Sequence, residues 1–308
     1  MVLNHQHLIA KLLDRFGQFE SNPVRNRFDE HATLDNKSRY RELIDALLYV
    51  DNATRPDICM SLSMLSQYLE EPRKPHWNAA SRYRDLIGAL LCVDNATRPD
   101  IRMSLSMLSQ YLEEPRKPHW NAVVSVLRYL KVTATLGITF TSDNASIDNY
   151  SDANWGGDKA SRRSTSGVLV EMTGGPIIFR SKRQATVALA SAEAEYVALA
   201  VATQEVVWLR YLLREMGVEI DGASVIYMDN KSSISMATNH GYTPRVKHID
   251  LRAHFVRDYV EKGYIELQYV PSEDQLVDFL TKALQTPRLV QLRASCGMCD
   301  RTCWGGGG

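Results

Sequence analysis

Residues 38–79 return as residues 81–122 with four substitutions in 42 positions. The changes are Glu42 to Asp85, Asp45 to Gly88, Tyr49 to Cys92 and Cys59 to Arg102. Segments this alike constrain the fold more than composition does, because two copies cannot fill one slot in a close-packed core. Stacked repeat proteins usually carry three or more divergent units, each packing on its neighbours. Two near-identical copies instead point to duplication of a coding segment, with one copy accommodated as an insertion. Each copy reads as helical. Tyr40, Leu43, Leu47 and Leu48 fall at helical spacing, and Thr54-Arg55-Pro56-Asp57 opens a second helix with proline in its first turn. That helix carries Ile58, Leu62, Leu65 and Leu69 and stops before Glu71-Pro72. A further helix from about Trp120 to Leu130 follows the second copy only, so the first copy is the interrupted one.

After Leu130 the periodicity changes. Gly137–Phe140 alternates as a strand does, and Asp148–Asp152 reads as another. Two apolar runs, Gly167–Met172 and Ile177–Ser181, flank Gly174-Gly175 and predict a hairpin. Ser191 is expected to cap a long helix running from Ala192 to about Met216, ended by Gly217. A strand at Val225–Asp229, helices over 231–238 and 250–262, a strand at Ile265–Val270 and a helix from Glu273 to Leu284 complete the pattern. Strands, a long helix, a strand, helices, a strand and a last helix in that order predict an α/β domain, a mixed sheet flanked by helices. It is preceded by a mostly helical region, and the expected units are 1–131, 132–290 and a disordered tail, 291–308.

The 308 residues include 36 basic and 36 acidic side chains. A net charge of zero withholds the basic footprint that nucleic-acid binding would leave, without excluding it, since charge can be segregated on a surface. No run approaches the ~18 apolar residues of a membrane span, and the N-terminus lacks a signal-peptide core. No membrane partner is expected. Cys59 and Cys92 lie in the repeat copies and Cys296, Cys299 and Cys303 near the end, which is no disulfide framework. A reduced, intracellular and cytoplasmic location follows.

Four acidic residues stand where this pattern would build a site. Asp152 ends a strand, Glu195 lies one turn into the long helix, Asp229 ends another strand, and Asp278 sits on the last helix. Strand ends of open α/β sheets are where sites form. Carboxylates gathered there repel one another unless divalent cations neutralise them. Two such ions about 3.5–4 Å apart activate water and stabilise the leaving oxygen in phosphodiester cleavage. Surface carboxylates at element ends are common, however, and among 36 acidic residues four convenient ones are easily found. Spacing by itself leaves both readings open.

Tyr150-Ser151-Asp152-Ala153-Asn154-Trp155 and Arg162-Arg163-Ser164-Thr165-Ser166-Gly167 resemble the opening of the ribonuclease H domain of copia-type retrotransposons. Ser191-Ala192-Glu193-Ala194-Glu195-Tyr196-Val197-Ala198-Leu199, Asp229-Asn230, Lys247-His248-Ile249-Asp250 and Val270–Asp278 are similar to later motifs of that domain, in the same order. The resemblance runs from Asn149 to Leu284. It implies a ribonuclease H-like fold and a metal-dependent nuclease that cuts RNA paired to DNA, with Asp152, Glu195, Asp229 and Asp278 as catalytic metal ligands. It implies two Mg²⁺ (or Mn²⁺) ions, an RNA–DNA hybrid as substrate, and the remainder of a Pol polyprotein as partner, in a virus-like particle of the parent element. Glu193 competes with Glu195, and Glu195-Tyr196-Val197-Ala198-Leu199 fits the family's helix start better. Arg162, Arg163, Lys182 and Arg183 are candidate contacts to the hybrid's phosphates. Leu8–Phe19, Arg39–Leu69 and His119–Lys131 resemble the end of the reverse transcriptase of the same polyprotein. Tyr49-Val50-Asp51-Asn52 has the look of a polymerase aspartate pair, but it lies in a helical stretch and its second carboxylate is Asn52, so no polymerase activity is expected.

The rival expectation is a truncated transposon remnant that at most binds nucleic acid. An integrase is disfavoured because its final Glu would fall at Tyr264. Trp155 and Trp208 are expected in the core, His248 and Asp250 in a helix-entry hydrogen bond, and the three late cysteines in no metal site.

Overall fold

The computed structural model describes residues 2–3, 5–17, 79–141, 147–218, 220–239 and 247–300. All of the first repeat copy but its last residue, Ala79, lies outside the described residues. In chain order the elements are β1 (Val2–Leu3), α1 (Gln6–Gly17), α2 (Ala79–Thr97), α3 (Arg102–Leu108), α4 (Lys117–Val132), β2 (Leu136–Thr139), β3 (Ile147–Asn154), β4 (Thr165–Met172) and β5 (Gly175–Arg183). There follow α5 (Ser191–Glu215), β6 (Ser224–Met228), α6 (Lys231–Thr238), α7 (Lys247–Glu261), β7 (Ile265–Tyr269), α8 (Asp278–Thr281), α9 (Thr286–Ser295) and β8 (Met298–Asp300).

The second repeat copy occupies a defined place among the N-terminal helices. Ile9, Leu12 and Phe16 of α1, Tyr83, Leu86, Ile87 and Leu90 of α2, Leu105 of α3, and Val123, Leu127 and Leu130 of α4 close one apolar core. At the turn between α2 and α3, the fully buried Arg98 holds Asp100 through two hydrogen bonds of 2.8 and 2.7 Å. Arg98 also donates to the Thr133 carbonyl at 2.9 Å, and the Tyr129 hydroxyl donates to Asp100. Arg293 of α9 donates to the Tyr129 hydroxyl at 2.9 Å, which ties this helical body to the C-terminal region. Asp94, the counterpart of Asp51 in the aspartate-like motif, is buried 2.9 Å from the Arg102 guanidinium. Its place is a structural ion pair.

The five-stranded sheet runs β5-β4-β3-β6-β7. β3, β4 and β5 form an antiparallel meander, and β6 and β7 run parallel to β3. The period-2 alternation of β4 splits its side chains between two cores. Val168 and Val170 meet Tyr196, Leu199 and Val206 of α5, while Leu169 meets Val277 and Leu280 beside α8, with Leu292 and Met298. α5 is long and apolar enough to cross a membrane by length and composition, but most of its apolar side chains pack into the core of this sheet. The mixed sheet flanked by helices is the architecture expected from the sequence.

Several local expectations change. The hairpin turns at Thr173-Gly174, one residue earlier than Gly174-Gly175, and both turn residues have positive φ, as the strand twist demands of a two-residue loop. The N-cap of α5 is Ala190, not Ser191, and its side chain makes no cap bond. The final helix is a short 3₁₀ turn, Ser272–Asp274, followed by four residues of α8. Trp155 and Trp208 are 53% and 54% exposed. Trp155 spends its indole N–H on the Ala188 carbonyl at 3.0 Å and lies at the surface instead of in the core. The His248 and Asp250 side chains lie outside the described residues.

The expectation of a disordered tail from residue 291 also fails over 291–300. β2 is not part of the large sheet; it pairs with β1 on one side and β8 on the other. Cys296 is buried, and burial pushes its thiol well above the usual range, so it acts as an apolar side chain. Gly297 explains how β8 reaches this position. Its φ is +71°, and a Cβ there would lie 2.0 Å from the Gly174 carbonyl oxygen. Gly297→Ala is therefore expected to cost about 3 kcal/mol, from left-handed backbone strain together with the clash. Amide exchange at Met298–Asp300 should accelerate in the variant; unchanged protection would show that the close approach to the hairpin is not needed.

Candidate metal centre

Parallel β3 and β6 are neighbours in the middle of the sheet, so their C-terminal ends share an edge. Asp152 lies near the end of β3, and Asp229 directly follows β6. Asn230 caps α6 by accepting from the Ser233 N–H at 3.0 Å, which breaks the strand immediately after Asp229. α5 starts at the same edge, and the Ser233 hydroxyl pins it there by donating to the Ala192 carbonyl at 2.9 Å. One carboxylate oxygen from each of Asp152, Glu195 and Asp229 lies within 4.8 Å of the others. Oxygen ligands at about 2.0–2.6 Å from a hard cation need roughly this separation.

The two glutamates at the start of α5 are used differently. Glu193 turns back and accepts the Leu189 N–H at 2.7 Å, closing the loop before the helix. Glu195 points to Asp152 and Asp229. It is 5% exposed and its Oε2 has no hydrogen-bond partner. Burial first, then the charges of Asp152 and Asp229, raises its carboxyl to about 9. Burial also raises Asp152; Lys282 and the Thr281 hydroxyl oppose the rise, and Asp278 and Asp229 add to it. The unpartnered Glu195 oxygen beside two further carboxylates calls for more positive charge than Lys282 provides, which a divalent cation would supply. The residues present therefore fit such an ion.

Asp278 does not join the group of three. Its Oδ1 accepts from Lys282 Nζ at 2.7 Å, and the same ammonium lies 3.3 Å from the Asp152 carboxylate. Burial disfavours the charge on Lys282, but Asp152 and Asp278 outweigh it and raise the amine above its usual range. Thr281 donates its hydroxyl to Asp152. Gly167 makes this possible, since a Cβ there would stand 2.5 Å from Thr281 Cγ2. On the other side, Ser272 donates to Asp229 Oδ2 at 2.6 Å. Sequence reasoning assigned no role to Lys282, Thr281 or Ser272. The only trace of Lys282 was its spacing, four residues after Asp278 on a short helix, where side chains share a face.

The basic candidates lie on the hairpin side. Arg162 and Lys182 are exposed and Arg163 is half-buried. Arg183 is occupied: it donates to Asp158 at 3.1 Å and to Gln110 at 2.6 Å. Asp158 is drawn down to about 2 by the Ser161 hydroxyl and the Ala160 N–H, with Arg183 contributing less.

A mixed five-stranded sheet flanked by helices thus gathers three carboxylates, two from the ends of its central strands and one from the start of α5. No protein-family profile matches the chain. It is 34% identical over 310 residues to the retrovirus-related Pol polyprotein from transposon TNT 1-94 of Nicotiana tabacum, covering 96% of this chain and 20% of that one. It is 40% identical over 252 residues to the Pol polyprotein from transposon RE2 of Arabidopsis thaliana, covering 82% of this chain and 14% of that one. A third relative, secreted RxLR effector protein 161 of Plasmopara viticola, is 49% identical over 171 residues, 55% of this chain and 90% of that one. The chain is a homologue, over most of its length, of retrovirus-related Pol polyproteins from plant transposons, and it spans a fifth or less of the length of the two polyproteins.

Proposed function

We propose that the chain is a ribonuclease H-type endonuclease that hydrolyses the RNA strand of RNA–DNA hybrids with a divalent metal ion. The observation that carries this reading is the convergence of Asp152, Glu195 and Asp229 from three separate elements, with a buried Glu195 oxygen that nothing in the protein satisfies. Magnesium or manganese held there would supply an activated water and charge stabilisation at the scissile phosphate. The residues themselves position and exclude. Ser272 fixes the Asp229 carboxylate, Thr281 fixes Asp152, and Glu195 is shielded from water by the sheet and α5. Lys282 holds Asp278 beside them. Arg162, Arg163 and Lys182 are the side chains proposed to meet backbone phosphates, and Arg183 takes part only if it leaves Asp158. Selectivity for the hybrid would rest on the ribose 2′-hydroxyls of the cut strand and on groove shape. In the parent element the rest of the Pol polyprotein is the proposed partner.

The test is cleavage of an end-labelled RNA–DNA hybrid by the full chain with Mg²⁺, beside an Asp229→Asn variant. The expected result is cutting of the RNA strand alone, lost with EDTA and reduced at least about 100-fold in the variant. A folded protein that binds the hybrid and leaves it intact would instead establish a non-catalytic transposon remnant.

A further inference from the structure

Lys282 has no place in the reading of the sequence, yet its ammonium stands inside the carboxylate site. It lies 2.7 Å from Asp278 Oδ1 and 3.3 Å from Asp152, bridging two acidic groups from different elements. This is not a surface lysine swinging in solvent: its side chain is two-thirds covered, at 35% exposure, and its partners are 1% and 12% exposed. Its backbone is fixed as well, because the Lys282 N–H closes α8 on the Asp278 carbonyl at 2.9 Å. Thr281, the residue before it, is held to Asp152, and bare Gly167 lets that contact form against β4. The four carboxylates thus divide into two halves. Asp152, Glu195 and Asp229 present oxygens to one point. Asp278 faces the lysine.

We propose that Lys282 is a resident cation of this site, bridging Asp152 and Asp278 in the place of one divalent ion, so that the chain takes up a single ion at Asp152, Glu195 and Asp229. This deepens the proposed function and rests on it. The physical argument is charge and space together. An ammonium within hydrogen-bond reach of both Asp152 and Asp278 neutralises the charge that a second ion would need, and it occupies the volume between them. Removing the ammonium leaves two buried carboxylates without their shared partner, and a hard divalent ion is the ligand that suits them.

The experiment is a Mn²⁺ titration of the full chain, counting bound ions from the free-ion signal in electron paramagnetic resonance. The unaltered chain is expected to bind one ion, Lys282→Met two, and Lys282→Arg one, because arginine keeps the charge. Two ions on the unaltered chain would overturn the proposal whether or not Lys282→Met folds, since the lysine would then yield to metal. One ion on a folded Lys282→Met would overturn it too. No ion on a folded unaltered chain would remove the metal reading itself, and so separates failure of the proposed function from failure of the role given to Lys282.

Discussion

Glu195→Gln is expected to yield a protein that is more stable than the unaltered chain in metal-free buffer and has lost cleavage. The two effects have one origin. Glu195 is buried beside two like charges, with an unpartnered oxygen, and its carboxyl sits at about 9 when folded. An ordinary glutamate in the unfolded chain titrates near 4.3. Between those two values the folded state holds a proton that the unfolded state has released, so stability falls as pH rises through this window. Glutamine keeps the shape without that cost. The stabilisation should be absent near pH 4, about 4 kcal/mol at pH 7, and larger towards pH 9. It corresponds to several degrees in Tm for a protein of this size. Saturating Mg²⁺ should shrink or reverse the difference, because an ion bound only by the folded glutamate form stabilises that form. Cleavage should fall at least about 1000-fold, through loss of a ligand at the reacting centre. Thermal denaturation across pH, with EDTA and with Mg²⁺, checks the stability half. A variant that cuts normally would remove Glu195 from the site, and one that is less stable at every pH would show that its carboxylate is satisfied in the fold.

Arg102→Cys is expected to destabilise the protein by about 3 kcal/mol, because it strips a partner from a buried carboxylate. Asp94 is wholly buried, with the Arg102 guanidinium 2.9 Å away, and the same guanidinium lies 5.3 Å from the centre of the Phe179 ring on β5. The substitution writes the residue of the first repeat copy, Cys59, into the second. Cys92→Tyr does the same at another differing position, which is 8% exposed, and overpacking there should cost about 1–3 kcal/mol. The double variant converts two of the four differing positions and should be clearly less stable than either single one. Urea denaturation at pH 7 measures all three. Losses under 0.5 kcal/mol would mean that either copy fits the slot equally well. Losses of the expected size would show that the second copy's own residues are fitted to this slot.

Much of the architecture was legible because it rests on periodicity. The 25 residues of α5, and the two apolar runs of β4 and β5 about a glycine-containing turn, produce strong patterns. Glu195 was preferred over Glu193 on the resemblance of Glu195-Tyr196-Val197-Ala198-Leu199 to the family's helix start; helix geometry says only that one of two side chains two apart can reach a given point. What escaped notice depends on contacts across the chain. Lys282 matters through Asp152, 130 residues away in sequence, and no local pattern announces that meeting. The α5 cap was misassigned because Glu193, one turn in, does the closing that Ser191 seemed placed to do. Trp155 misled because an indole can lie on a surface with its N–H satisfied by a carbonyl. The order of β8 was hidden because its short run, Met298–Asp300, has no strand signature apart from its partner Leu136–Thr139.

The three-stranded sheet β1-β2-β8 has a mechanical consequence. Strands from residues 2–3, 136–139 and 298–300 are laced side by side, and Arg293 reaches across to Tyr129. Helical body and carboxylate site are therefore joined by a clasp instead of a hinge. The carboxylates thus stand at a set distance from the N-terminal helices, and this small sheet works as the ruler between them.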